Sequence, residues 1–176
     1  MEDDVLVPLD KGSRSLVPDA PGCYWLVAVD EAGRPRPVGR AAGMDDKGIL
    51  YIGESGGLRR RFSDMVDHFH KRTEDVDRVS KHGHPAAAEW HYSPANQRVH
   101  PLRLMAFTWE ELPRGADTVR QELCYLTNYR DHWGEYPPWN QPPTKYRRYL
   151  PSDNPMGRGV FRYDPSCADW LPSAYR

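Results

Sequence analysis

Cys23-Tyr24-Trp25-Leu26-Val27-Ala28-Val29 and Gly48-Ile49-Leu50-Tyr51-Ile52-Gly53, with the helical stripe that starts at Leu58, form the stretch on which the fold turns. The first run is rich in aromatic and β-branched residues and is fenced by Pro21-Gly22 and Asp30, which predicts a buried strand. The second predicts another strand, antiparallel to the first across the polar, glycine-rich loop from Asp30 to Lys47. At Leu58 the period changes. Leu58, Phe62, Met65, Val66 and Phe69 fall at i, i+4, i+7, i+8 and i+11, one apolar stripe of a helix that Ser55 is placed to cap.

Working outward, the stretch from Thr73 to Val99 has no clear period and reads as an irregular insertion. Leu102 to Trp109 is a third strand candidate. Asp117 caps a second helix that runs to about Tyr129, with Val119, Leu123 and Leu126 at helical spacing; Gly134 and Pro137-Pro138 stop it. Two strands, a helix, a strand and a helix predict an α+β layer: a small three-stranded antiparallel sheet flanked by helices, with loop insertions and an irregular C-terminal tail. On this reading residues 1–20 are an N-terminal extension and 21–141 the domain. Residues 142–176 are a C-terminal extension packed on or beside it.

The bulk properties fit that scale. A chain of 176 residues builds one core of ordinary size, and 39% hydrophobic residues with 17 prolines describe a globular chain with much exposed loop. The net charge of −1 gives no global field for a polyanion, so any grip on phosphate is local. Residues 59–72 supply such a strip: Arg59, Arg60, Arg61, Lys71 and Arg72 against Asp64 and Asp67. Cys23, Cys124 and Cys167 are odd in number and widely spaced. That argues against a disulfide framework or a cysteine zinc site, and for a reducing cytoplasm. The acidic start Met1-Glu2-Asp3-Asp4 has the wrong sign for a signal peptide, and no apolar run approaches membrane-spanning length.

Two features carry chemistry. Arg61, Asp64, His68 and Arg72 run along one flank of the first helix beside its apolar stripe. Alone, that flank reads first as a solvated, salt-bridged edge, and second as a set of cations facing phosphate. Glu122 falls within the apolar face of the second helix, between Val119, Leu123 and Leu126 on one side and Tyr125 and Tyr129 on the other. A carboxylate there requires a partner: an arginine from the first helix, or a cation that substrate completes.

The joint pattern of Gly22-Cys23-Tyr24, Tyr51-Ile52-Gly53, Arg61, Glu122 and Asn140 resembles the signature of the GIY-YIG nuclease family, with Cys23 where Ile is usual. The resemblance covers about Gly22 to Asn140. It implies a metal-dependent endonuclease that hydrolyses phosphodiester bonds, DNA foremost, with one Mg2+ or Mn2+ per site on Glu122. Arg61 would bind the scissile phosphate, Tyr24 would position or deprotonate the attacking water with Tyr51 in support, and Asn140 would orient the site. Arg59, Arg60 and Arg72, with Lys145, Arg147 and Arg148 of the basic tail, are the expected substrate contacts. A double-strand cut with one active site per subunit would favour a homodimer.

The chain departs from the family in two places. The loop Asp30 to Lys47 is long, and the position one turn after Arg61, where many members carry histidine or tyrosine, is Met65. His68, on the same flank as Arg61, is the expected substitute. Two other readings stand beside this one. One is a catalytically inactive nucleic-acid-binding module of the same fold. The other is a zinc site at His82-Gly83-His84 with His91, whose spacing suits no common zinc module and reads first as a histidine-rich polar loop.

Overall fold

The computed structural model describes residues 5–71 and 83–140. Arg72, His82, Lys145, Arg147, Arg148 and the extension from 142 onward lie outside the described residues.

The strand β1, Val7–Pro8, opens the chain, and a 3-10 turn over Lys11–Leu16 follows it. The central strand β2 spans Gly22–Ala28, buried at every position. Inside the long loop, β3 (Val38–Arg40) and β4 (Gly43–Asp45) form their own small hairpin. Strand β5 spans Ile49–Ser55 and leads into α1, Leu58–Phe69. The expected stripe on α1 is the face that is buried: Leu58, Phe62, Met65, Val66 and Phe69. Full burial of each such side chain contributes about 1.5–3 kcal/mol, which outweighs the cost of three arginines at the positive end of the helix dipole. The helix begins two residues later than a Ser55 cap would place it. Gly57 is its N-cap, and the Ser55 hydroxyl instead accepts from the Gly57 amide at 3.0 Å, tightening the turn before the helix.

The segment expected to be irregular contains two short helices, α2 (Pro85–Tyr92) and α3 (Pro94–Val99). Both start on proline in the first turn, where the missing N–H is no loss. A hydrophobic period was not there to be read, because α2 buries only Ala86, Ala87 and His91. Strand β6 spans Met105–Glu111 after a 3-10 turn over Leu102–Leu104. The last helix, α4, spans Thr118–Trp133; the Asp117 side chain accepts from the Arg120 amide at 3.0 Å, and Gly134 ends it in the left-handed conformation at φ 77°.

The sheet order is β1-β6-β2-β5, antiparallel at each pairing. It has four strands rather than three, and the fourth comes from the segment read as an N-terminal extension. Val7, Leu9 and Val17 of that segment are buried in the main core. Helices cover both faces. Tyr24, Leu26 and Ala28 share one core with α1, α2 and the N-terminal segment, whereas Cys23, Trp25 and Val27 share the other with Leu123, Tyr125, Leu126 and Tyr129 of α4. Cys23 is free and buried. Among the described residues, no helix is long and apolar enough to cross a membrane.

Candidate active site

The register of β2 on β5 sets the geometry. Pairing of β2 with β5 runs in step from Gly22↔Ser55 to Leu26↔Tyr51, then jumps to Val27↔Ile49 and leaves Leu50 unmatched. The extra residue puts Leu50 and Tyr51 into the same core although they are adjacent in sequence. Tyr51, opposite Leu26 in the regular part of the pairing, lies on the α1 side of the sheet with Tyr24, at 6.1 Å between ring centroids. Two glycines make room. A Cβ at Gly53 would stand 2.4 Å from Cζ and the hydroxyl of Tyr24, so the Tyr24 ring lies where a side chain would be. A Cβ at Gly22 would stand 2.2 Å from the Glu110 carbonyl oxygen, so the close approach of β2 to β6 requires glycine there.

Around the tyrosines the structure gathers the expected charges. Tyr24 is 2% exposed and Glu122 is 1% exposed, so both are out of reach of bulk water in this conformation. Burial raises the Tyr24 hydroxyl well above the ordinary phenol value; the nearby Tyr51 and the Glu122 carboxylate push the same way, and only Arg61 opposes. Tyr51 is raised for the same leading reason, followed by the charge of Glu122, with Arg61 again opposing and Glu54 adding to the rise. Arg61, from α1, is thus the cation felt by both phenols, and Glu122, from α4, is the anion felt by both. Arg61 is part-exposed and makes no side-chain hydrogen bond or ion pair among the described residues. Glu54 was not anticipated. It sits next to Gly53, and its Oε2 accepts from the Thr118 hydroxyl at 2.8 Å, tying β5 to the first residue of α4.

The histidine at the phenol is His84, not His68. The Tyr24 hydroxyl and His84 Nε2 are 2.7 Å apart in a buried contact, and the His84 ring packs edge-on to Tyr51 at 5.2 Å. Burial, then the charges of Arg61 and His68, push the His84 imidazole down to about 3, so it is neutral around pH 7. His68 stands one layer back: its Nδ1 accepts from the His84 amide at 3.2 Å, and its carbonyl accepts from His91 Nε2 at 2.9 Å. The reason is geometric. His68 is two turns along α1 from Arg61, on the part of the flank that meets α2, and α2 delivers His84 to the hydroxyl instead. His84 and His91 are therefore each engaged separately, and among the described residues no group of three or more His, Cys, Asp or Glu is placed to hold a metal.

Asn140 clamps the outer edge of β5. Its Oδ1 accepts from the Ile52 amide at 2.9 Å and its Nδ2 donates to the Ile52 carbonyl at 2.8 Å. Both arms of the amide are thus spent on the backbone between Tyr51 and Gly53. Arg60 is exposed at the start of α1, free to meet a ligand. Arg59 is tied down, because its Nε donates to the Val17 carbonyl at 2.8 Å and pins the N-terminal segment on α1. A concavity of about 490 Å3 lies at the far end of α1 between Lys11, Asp64, Asp67, His68, His70 and Lys71. It is open and mixed in charge, and we assign it no role.

Comparison with protein-family models, with curated proteins and with solved structures finds no match for this chain.

Proposed function

We propose that this chain is a metal-dependent endonuclease of the GIY-YIG type, acting on phosphodiester bonds in DNA. The observation that carries the reading is the meeting of Tyr24, Tyr51, Arg61 and Glu122, from two strands and two helices, as one electrostatically coupled group. Phosphodiester hydrolysis needs a positioned water, a cation for the charge that grows on phosphorus, and help for the leaving oxygen. Arg61 supplies the fixed cation and binds the scissile phosphate. Tyr24 positions the water, and Tyr51 stands beside it on the same face. Asn140 holds the strand that carries Tyr51 in register.

A buried carboxylate is donor chemistry that suits magnesium, which keeps several waters and takes other ligands from substrate phosphate. Glu122 would hold that ion, which when bound would neutralise charge on the phosphate. Because Tyr24 and Glu122 are both buried, substrate entry requires a rearrangement around the site.

The test is cleavage of supercoiled plasmid, single-stranded DNA and RNA with magnesium, manganese or EDTA, with Glu122→Gln in parallel. Glutamine keeps the size of the side chain and removes the charge. We expect cleavage that EDTA abolishes and that falls by at least about 100-fold in the variant, with an unchanged circular dichroism spectrum. Cleavage by Glu122→Gln at the wild-type rate would remove Glu122 from the metal site. Binding of nucleic acid without cleavage of any substrate would favour a binding module of the same fold.

A further inference from the structure

We infer that His84 is the proton acceptor behind Tyr24, a positioning residue supplied from α2 in place of the titratable side chain that α1 lacks one turn after Arg61. The inference rests on the nuclease reading of the same site.

Three observations converge on it. First, the 2.7 Å contact between His84 Nε2 and the Tyr24 hydroxyl is buried, and the family position on α1 is occupied by Met65, a fully buried apolar residue that cannot take a proton. Second, His84 is the N-cap of α2 yet makes no side-chain capping bond, although capping is the usual work of a polar residue at that position. Its ring is spent on Tyr24 instead. Third, its Nδ1 is buried with no hydrogen-bond partner. Such an orphan costs about 1–3 kcal/mol, and a side chain present only to fill space would not carry it.

The chemistry follows from the surroundings. The groups that face His84 are Tyr24 and Tyr51 from the sheet and Arg61 and His68 from α1. Burial and the charges of Arg61 and His68 keep the ring neutral, so its lone pair is available. A phosphodiester on Arg61 offsets the guanidinium charge and makes protonation of His84 less costly at the moment of reaction.

The step is then balanced. The O–H bond of the attacking water breaks as its proton passes to the Tyr24 oxygen, while the Tyr24 proton passes to His84 Nε2. The water oxygen forms the new bond to phosphorus. The leaving oxygen departs with the electron pair and takes a proton from bulk water, and His84 returns its proton to solvent on product release. Tyr24 need not exist as a phenolate at any point, which matters because burial disfavours that form. His68 keeps the relay in place by accepting from the His84 amide.

The experiment is single-turnover cleavage by the wild type, His84→Gln, Tyr24→Phe and the double variant, with nitrogen-15 NMR of the wild-type histidines. Glutamine keeps a polar group near Nε2 but cannot accept a proton. We expect His84→Gln to lower kcat by about 100-fold with KM within about threefold. The double variant should be no slower than the slower single one, because the two residues act as a unit. Imidazole should restore part of the activity of His84→Gly. In the resting wild type, NMR should show the proton on Nδ1 and none on Nε2. Cleavage by His84→Gln within threefold of wild type overturns the role, as does a resting proton on Nε2; neither touches the nuclease reading. A wild type that cuts no substrate with any metal overturns both.

Discussion

Gly53 has no room for a side chain because the hydroxyl end of Tyr24 lies 2.4 Å from where its Cβ would be. The third letter of the Tyr51-Ile52-Gly53 motif is thus explained by the first motif across the sheet: a small residue on β5 is the slot for the phenol of β2. Gly53→Ala should displace that ring and break its contact with His84. Overpacking of this kind costs about 1–3 kcal/mol. We expect the variant to fold with a lower melting temperature and to lose activity by a far larger factor than its stability loss explains. A Gly53→Ala protein as active as wild type would mean that the Tyr24 position is not used.

At the scale of elements, β5 is an edge strand whose outer backbone groups are satisfied one by one. The Ile49 carbonyl accepts from the Arg40 guanidinium, the Leu50 carbonyl from the Trp139 amide at 3.0 Å, and Ile52 is held at both groups by Asn140. An open edge is a template for pairing with another chain, and these contacts close it. Arg40 is itself fixed on Asp45, at 3.6 Å, whose Oδ2 also accepts from the Tyr129 hydroxyl at 2.9 Å. The β3–β4 hairpin is therefore a strut between β5 and α4. Asn140→Ala should cost about 1–3 kcal/mol and accelerate hydrogen exchange at the Ile52 amide. Unchanged protection at Ile52 would show that the clamp is not what holds the edge.

For the whole molecule, two buried neutral histidines make stability depend on pH. Burial first, then Arg61 and His68, hold His84 down to about 3; burial first, then Arg36 and Arg40, hold His100 down to about 4. Both values lie below the ordinary 6.5 of the unfolded chain. Between those limits the unfolded state binds protons that the native state refuses, so stability falls as pH falls from 6.5 toward 3 and gains nothing from these groups above 6.5. Denaturant unfolding at pH 7 and pH 4.5 should show this loss, and His84→Gln should show less of it. Parallel losses in the two proteins would mean that His84 is not a buried neutral base.

The strands, the two long helices and the helix stops were legible in the sequence because each is a local matter. An apolar stripe at Leu58, Phe62, Met65, Val66 and Phe69 has one way to be buried, Asp117 caps whatever helix follows it, and Gly134 turns left-handed at little cost. The pattern also picked out Tyr24, Tyr51, Arg61 and Glu122, since a charge or a paired motif in an apolar run stands out against its neighbours. What the sequence did not disclose lies in contacts between residues far apart in the chain. His84 is 60 positions from Tyr24, in a stretch without period, and nothing local distinguishes it from His82 or His91. The fourth strand is two residues long, too short to carry a pattern, and exists because Val7 and Pro8 find a partner in β6. The shared face of Tyr24 and Tyr51 depends on the register of two strands joined by a long loop, and register is settled only when both faces of the sheet are packed.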